Sequence, residues 1–177
     1  MSKPTSPAPA KLVIGFFTRD KDILGEAARK LSESFGPPDV ISQWLPFEHT
    51  DYYTSEMGSP LFRRLMAFRE LIQQDTLADV KLFTNDLEGR FSIRGKRLVN
   101  IDPGYLLAER FVLATGKNYV HRIYLRAGIY ADLTLIYQKG RFHPQDWTYP
   151  DYAGDAIRAF LETVRERYLY QVKHSGG

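Results

Sequence analysis

Leu12 to Phe17 (LVIGFF) is a short uninterrupted apolar run, which predicts a strand buried on both faces. Asp20 or Asp22 can cap the segment that follows. There Ile23, Leu24, Ala27, Leu31 and Phe35 recur at helical spacing until Gly36 and Pro37 stop the helix. Val40 to Phe47 alternates in part and predicts a second strand, which leaves through a polar, aromatic loop from Phe47 to Tyr53. Ser59 followed by Pro60 matches a cap with proline at the first helical position, so Leu61, Leu65, Phe68 and Ile72 are expected to form a helical stripe. Leu77 to Glu88 predicts a further helix, with Val80, Phe83 and Leu87 on one face and Lys81, Thr84, Asn85 and Glu88 on the other.

Residues 90 to 101 pattern as a hairpin around Gly95-Lys96, with Phe91 and Ile93 on one arm and Val99 and Ile101 on the other. Asp102-Pro103-Gly104 repeats the cap-then-proline pattern and predicts a short helix from Pro103 towards Leu113, with Asp102 as its cap. After Thr115-Gly116-Lys117-Asn118 come two strands, His121 to Leu125 and Ile129 to Tyr137, joined by Arg126-Ala127-Gly128. In the second, Ile129, Ala131, Leu133 and Leu135 face one way, and Tyr130, Asp132, Thr134 and Ile136 the other. An aromatic loop from Trp147 to Tyr152 leads into a last helix, whose stripe of Ile157, Phe160, Leu161, Val164 and Tyr168 is the clearest periodicity in the chain. The expected fold is α+β or α/β: one domain with a mixed sheet packed by about four to five helices. Residues 1 to 10 are expected to be a disordered arm, 11 to 170 the domain and 171 to 177 a flexible tail.

Composition narrows the function classes. A chain of 177 residues, 44% apolar and 25% charged, suits one globular domain. It has no cysteine, which excludes disulfides, thiolate nucleophiles, cysteine zinc sites and the common iron-sulfur clusters. That absence suits a reducing compartment. MSKPTSPAPA has no apolar leader, and no later stretch approaches the length of a membrane span, so a soluble cytoplasmic protein without membrane contact is expected. The net charge is +3, with basic residues spread along the chain; the densest group, Arg90, Arg94, Lys96 and Arg97, reads as a solvated hairpin.

Familiar phosphate motifs fail. Gly116-Lys117 suggests a P-loop, but Phe111 stands where the upstream glycine belongs and Asn118 where the serine or threonine belongs. No G-x-G-x-x-G follows the first strand, which runs Gly15-Phe16-Phe17-Thr18. Four histidines without an H-E-x-x-H pair give no dense metal site, though Asp102, Asp132 and Glu88, with His121, are candidate ligands for magnesium or manganese. Lys117, Asn118, His121 and Arg122 lie within six residues and can bind an anion, Arg122 by a bidentate contact and Lys117 as a point charge. The Tyr52-Tyr53 and Trp147 to Tyr152 loops can stack on a ligand or close the ends of a core.

Several strings together resemble an uncharacterised prokaryotic family, domain of unknown function 4416. They are Thr50-Asp51-Tyr52-Tyr53 with Glu56-Met57-Gly58, Val99 to Tyr105, His121 to Leu125, and Trp147 to Tyr152. The resemblance covers nearly the whole chain and implies no established activity. The resulting expectation is a site for a phosphorylated or nucleotide-like small molecule, with magnesium or manganese as the candidate ion. Lys117, Asn118, His121 and Arg122 would hold the anion, Tyr105 and Tyr149 would line the pocket, and Asp102, Asp132 and Glu88 would bind metal. His121, with Asp102 and Asp132, is the candidate for proton transfer. The alternatives are an RNA-binding or ribonucleoprotein-associated module and a non-catalytic interaction protein.

Overall fold

The first apolar run forms β1 (Ala10–Thr18), buried at every position. The structure is a computed structural model that describes residues 1–48 and 52–174; His49, Thr50 and Asp51, within the expected aromatic loop, and Ser175, Gly176 and Gly177 lie outside the described residues. Asp20 caps α1 (Lys21–Phe35), its carboxylate accepting from Asp22 N at 2.9 Å. The second predicted strand is divided into β2 (Pro38–Ile41) and β3 (Leu45–Pro46). A one-turn helix, α2 (Thr54–Met57), follows Tyr53.

Residues 61–72 overturn the helix expected there. They form β4 (Phe62–Ile72). Leu65 and Ala67 enter one core cluster while Met66 and Phe68 enter another, as a strand covered on both faces requires. Pairing with β1 on one side and with β2 and β3 on the other outweighs the local cap-and-proline signal.

The helix α3 (Leu77–Arg90) forms as expected. The hairpin of β5 (Ser92–Ile93) and β6 (Lys96–Arg97) turns through Arg94 and Gly95, both at positive φ. The helix expected from Pro103 to Leu113 is the second correction: the segment forms β7 (Val99–Leu106) and β8 (Arg110–Thr115). Asp102 is therefore a strand residue and caps nothing. The cause is again tertiary, because β7 pairs with β1 from Val99 opposite Thr18 to Leu106 opposite Lys11. At Gly104 the strands approach so closely that a Cβ would lie 2.5 Å from the Val112 carbonyl oxygen.

β9 (Arg122–Arg126) and β10 (Ile129–Gln138) match expectation, although a register shift between Leu133 and Leu135 interrupts the simple alternation along β10. A further strand, β11 (Arg141–Pro144), was not expected. The aromatic loop leads to α4 (Pro150–Ala153) and then to α5 (Asp155–His174). Ala10, in the expected arm, already belongs to β1, and α5 continues four residues into the expected tail.

Among the described residues the main sheet has nine strands in the order β11-β10-β8-β7-β1-β4-β2, with β3 on β4 and β9 on β10. Every pairing is antiparallel. With five α-helices among the described residues this is an α+β domain, the first of the two expected classes. Ile157, Phe160, Leu161, Val164 and Tyr168 of α5 cover one face with Leu65, Ala67 and Phe111. Leu24 and Leu31 of α1 and Val80 and Leu87 of α3 cover the other with Ile14, Phe16 and Phe68. No helix among the described residues is long and apolar enough to cross a membrane.

Candidate ligand-binding cleft

β7 and β8 are paired only between Gly104–Leu106 and Phe111–Leu113. Beyond that point β8 follows β10, with Ala114 opposite Ala131 and Thr115 opposite Tyr130, while β7 stays with β1. The first half of β7 thus has an open edge. Two side chains of α3 satisfy it: Ile101 N donates to Glu88 Oε1 at 2.6 Å, and Lys81 Nζ donates to Ile101 O at 2.9 Å. N–H direction alternates along a strand, so Pro103 shares the outward side of Ile101 and there has no N–H to pair. The strands part at that proline.

A cavity of about 740 Å³ fills the parting, within the range of small-molecule sites. Cross-strand register explains its floor. Arg63, Phe17 and Asn100 stand opposite one another on β4, β1 and β7, and two residues further along Leu65, Gly15 and Asp102 do the same. Residues two apart share a face, so Asn100 and Asp102 point to the same side as Phe17 and Arg63. At Gly15 a Cβ would lie 2.9 Å from the Tyr152 hydroxyl, so glycine leaves room for α4 to close over the strand.

Arg63 is almost fully buried, with its guanidinium carbon 5.2, 4.7 and 5.0 Å from the ring centres of Phe17, Phe47 and Tyr152. It pairs with Asp151 and lies 3.6 Å from Asp102 Oδ2. That oxygen also accepts from Asn100 Nδ2 at 2.8 Å, whereas among the described residues Asp102 Oδ1 has only Lys81 Nζ, at 3.9 Å. Arg97 grips Glu56 at 2.7 and 2.9 Å and reaches Glu88 at 3.2 Å and Asn100 at 2.9 Å, fastening α2 beside the cavity.

These surroundings set the proton affinities. Burial, with the Asp102 charge second, pushes the Tyr53 hydroxyl up to about 12, so it remains a donor at neutral pH. Burial also raises the Glu88 carboxyl, against the pull of Lys81 and the Ile101 amide. The Arg97 hydrogen bonds hold Glu56 below the usual carboxylate range.

The candidates from sequence are divided by the fold. Glu88, Asp102, Asp132, Lys117 and Tyr149 line the cavity. His121 and Arg122 do not: His121 Nε2 and Arg122 Nε both meet Asp132 Oδ2, at 3.1 and 2.8 Å, and His121 stacks on Trp147 with 4.7 Å between centres. Arg122 also donates to the Tyr149 hydroxyl at 2.7 Å and to Lys117 O at 2.9 Å. Burial works against its charge, but these partners leave its proton affinity raised. His121 and Arg122 thus brace Asp132 from behind the cavity wall. Asn118 is exposed and outside the lining, and Tyr105 is buried in the core. Among the described residues no three His, Cys, Asp or Glu side chains come together as a metal site.

Arg63, Asn100 and Asp151 were missed. Once 61–72 is read as a helix, Arg63 belongs to its solvent face, and only the both-face strand pattern turns it inward.

The family described as Domain of unknown function (DUF4416) matches residues 8–168. The chain belongs to the DUF4416 family. No curated protein and no solved structure matches it. The DUF4416 match spans every strand and lining residue of the cleft, so the parted β7 and β8 lie within the family region.

Proposed function

We propose that this DUF4416 protein binds a phosphorylated small molecule, up to a mononucleotide in size, in the cleft between β7 and β8. The observation that carries the reading is the chemistry of the rim. Lys117 is exposed, and among the described residues its ammonium has no carboxylate partner; it lies 5.3 Å from the centre of the Tyr52 ring. Beside it the space above Gly116 is open, so backbone there is accessible to a phosphate. Tyr53 and Tyr149 supply ring faces and polar tips along the walls, and Phe47 adds an apolar ring. The phosphate sits at Lys117 and the remainder of the ligand extends inward.

Glu88 is engaged by Arg97 and Ile101, and Asp132 by His121 and Arg122. In this reading magnesium or manganese is carried by the ligand's own phosphates rather than by a protein cage. The test is calorimetric titration of the full chain with AMP, GMP and ribose 5-phosphate, each with and without magnesium. Binding of at least one, weakened about tenfold or more by Lys117→Ala with unchanged thermal midpoint, supports the reading. Absence of binding to all, or full affinity in the variant, refutes it.

A second reading rests on β9 and the segment before it: Tyr119 and Val120 precede the strand, Ile123 and Tyr124 lie on it, all four are exposed within six residues, and among the described residues β9 pairs only with β10. Such a surface suits a partner chain or stacked RNA bases.

A further inference from the structure

The inner wall of the cleft differs from its rim in sign and in hydrogen-bonding capacity. Glu88, Asp102 and Asp151 are matched there by Arg63, Lys81 and Arg97, and Glu56 adds another carboxylate behind Arg97. Each cation of that wall already has a carboxylate within 4 Å, so a phosphate driven inward would meet none that is unpaired. Most of the wall is already committed: Lys81 to Ile101 O, Glu88 to Ile101 N and Arg97, and Asn100 to Asp102 and Arg97.

Asp102 keeps capacity open to the cavity, whereas Arg63 Nε and the Tyr152 hydroxyl are unpaired among the described residues but buried. Asp102 Oδ2 takes one hydrogen bond from Asn100, while among the described residues Oδ1 has no donor within hydrogen-bond range, the nearest cation being Lys81 at 3.9 Å. Its side chain keeps 29% of its exposure and lines the cavity. A carboxylate only accepts, so the group it calls for is a donor. Two adjacent oxygens with unspent lone pairs suit two adjacent donors, and because Arg63 and Lys81 already neutralise the carboxylate, those donors need carry no charge.

Resting on the proposed phosphate site, we infer that the ligand is a sugar phosphate or nucleotide bound phosphate-outward, with a vicinal diol donating to Asp102 at the inner end. Lys117 reads the phosphate and Asp102 reads the hydroxyls. The cleft therefore discriminates against deoxy sugars, because removal of one hydroxyl strands an acceptor of a desolvated carboxylate.

The experiment titrates the full chain with ribose 5-phosphate, 2-deoxyribose 5-phosphate and inorganic phosphate, then repeats it with Asp102→Asn. Wild-type protein is expected to bind the ribose compound about tenfold to a hundredfold tighter than the deoxy compound, and Asp102→Asn is expected to erase that ratio. The deoxy comparison uses unaltered protein and stands even where the variant folds poorly. Equal affinity for the two sugars overturns the diol assignment while leaving the phosphate site intact. Failure of all three phosphates to bind removes both.

Discussion

At the N-terminal end of β1, Lys11 is fully buried, its ammonium held by Asp39 Oδ2 at 2.7 Å and Gln171 Oε1 at 2.6 Å, with Arg167 donating to the same Asp39 oxygen at 3.0 Å. At the other end, Phe17 lies on the floor of the cleft, among Arg63, Asn100 and Asp102. Both ends bury ionised groups on one strand. The Lys11 end is sealed: Asp39 keeps 4% of its side-chain exposure, and the pair ties β1 to β2 and α5. Among the described residues Asp39 Oδ1 also lacks a hydrogen-bond partner but is buried, whereas the cleft end is open and Asp102 presents its unspent oxygen to accessible volume. Buried charge alone does not mark a binding site; unsatisfied hydrogen-bonding capacity beside accessible volume does.

The sharpest break in that contrast comes from Lys11→Met. Removing one member of a sealed pair leaves Asp39 buried with a single, half-exposed cation, and an unfolding loss of about 3–5 kcal/mol is expected in urea titration. Phosphate-ligand affinity should not change. The same titration on Asp102→Asn is expected to show a loss within about 1 kcal/mol, since Asp102 is partly solvated and Arg63 retains Asp151. Comparable losses for the two variants would end the distinction between a structural and a functional pair.

A smaller effect sits at the clamp on α2. Arg97 lowers the Glu56 carboxyl from its ordinary 4.5. As pH falls, the unfolded chain therefore takes up this proton before the folded one. The clamp's stabilisation is whole above about 4.5 and is lost as pH drops through the folded-state value. Glu88 has the opposite sign, its raised carboxyl favouring the fold below the ordinary value and losing that contribution as pH rises. Thermal midpoints measured from pH 6 to pH 3 should fall less steeply in Glu56→Gln than in the unaltered protein, with Glu88 common to both. Parallel curves would show that the clamp contributes nothing.

Much of this architecture was legible where one local pattern had one reading. LVIGFF, the α1 stripe with its Asp20 cap, the polar face of α3 and the stripe of α5 all became what their periodicity predicts. Residues 61–72 and 103–113 were misread because apolar residues on both faces of a buried strand also satisfy helical spacing, and a polar residue followed by proline then resembles a cap. Those two errors hid the cleft: they placed Arg63 in solvent and Asp102 at a helix end, whereas strand register brings them together. The missed β11 did have a signal. Its turn, Lys139-Gly140, is of the same residue-plus-glycine kind as Arg94-Gly95 and Ala127-Gly128, all at positive φ. Of the anion group chosen by proximity in sequence, Lys117 reached the cavity, while His121 and Arg122 were taken by Asp132, a pairing that depends on how β9 folds back on β10.

The parted β7 and β8 form the proposed ligand site, while the Lys11 end of β1 is structural. Amide NMR spectra of the labelled protein titrated with ribose 5-phosphate test it directly. Saturable shifts are expected at Asn100, Ile101 and Asp102 and from Thr115 to Lys117, with Lys11, Asp39 and Gln171 unmoved. Shifts confined to residues 119–126 of the β9 edge, or no saturable shift anywhere, would contradict it.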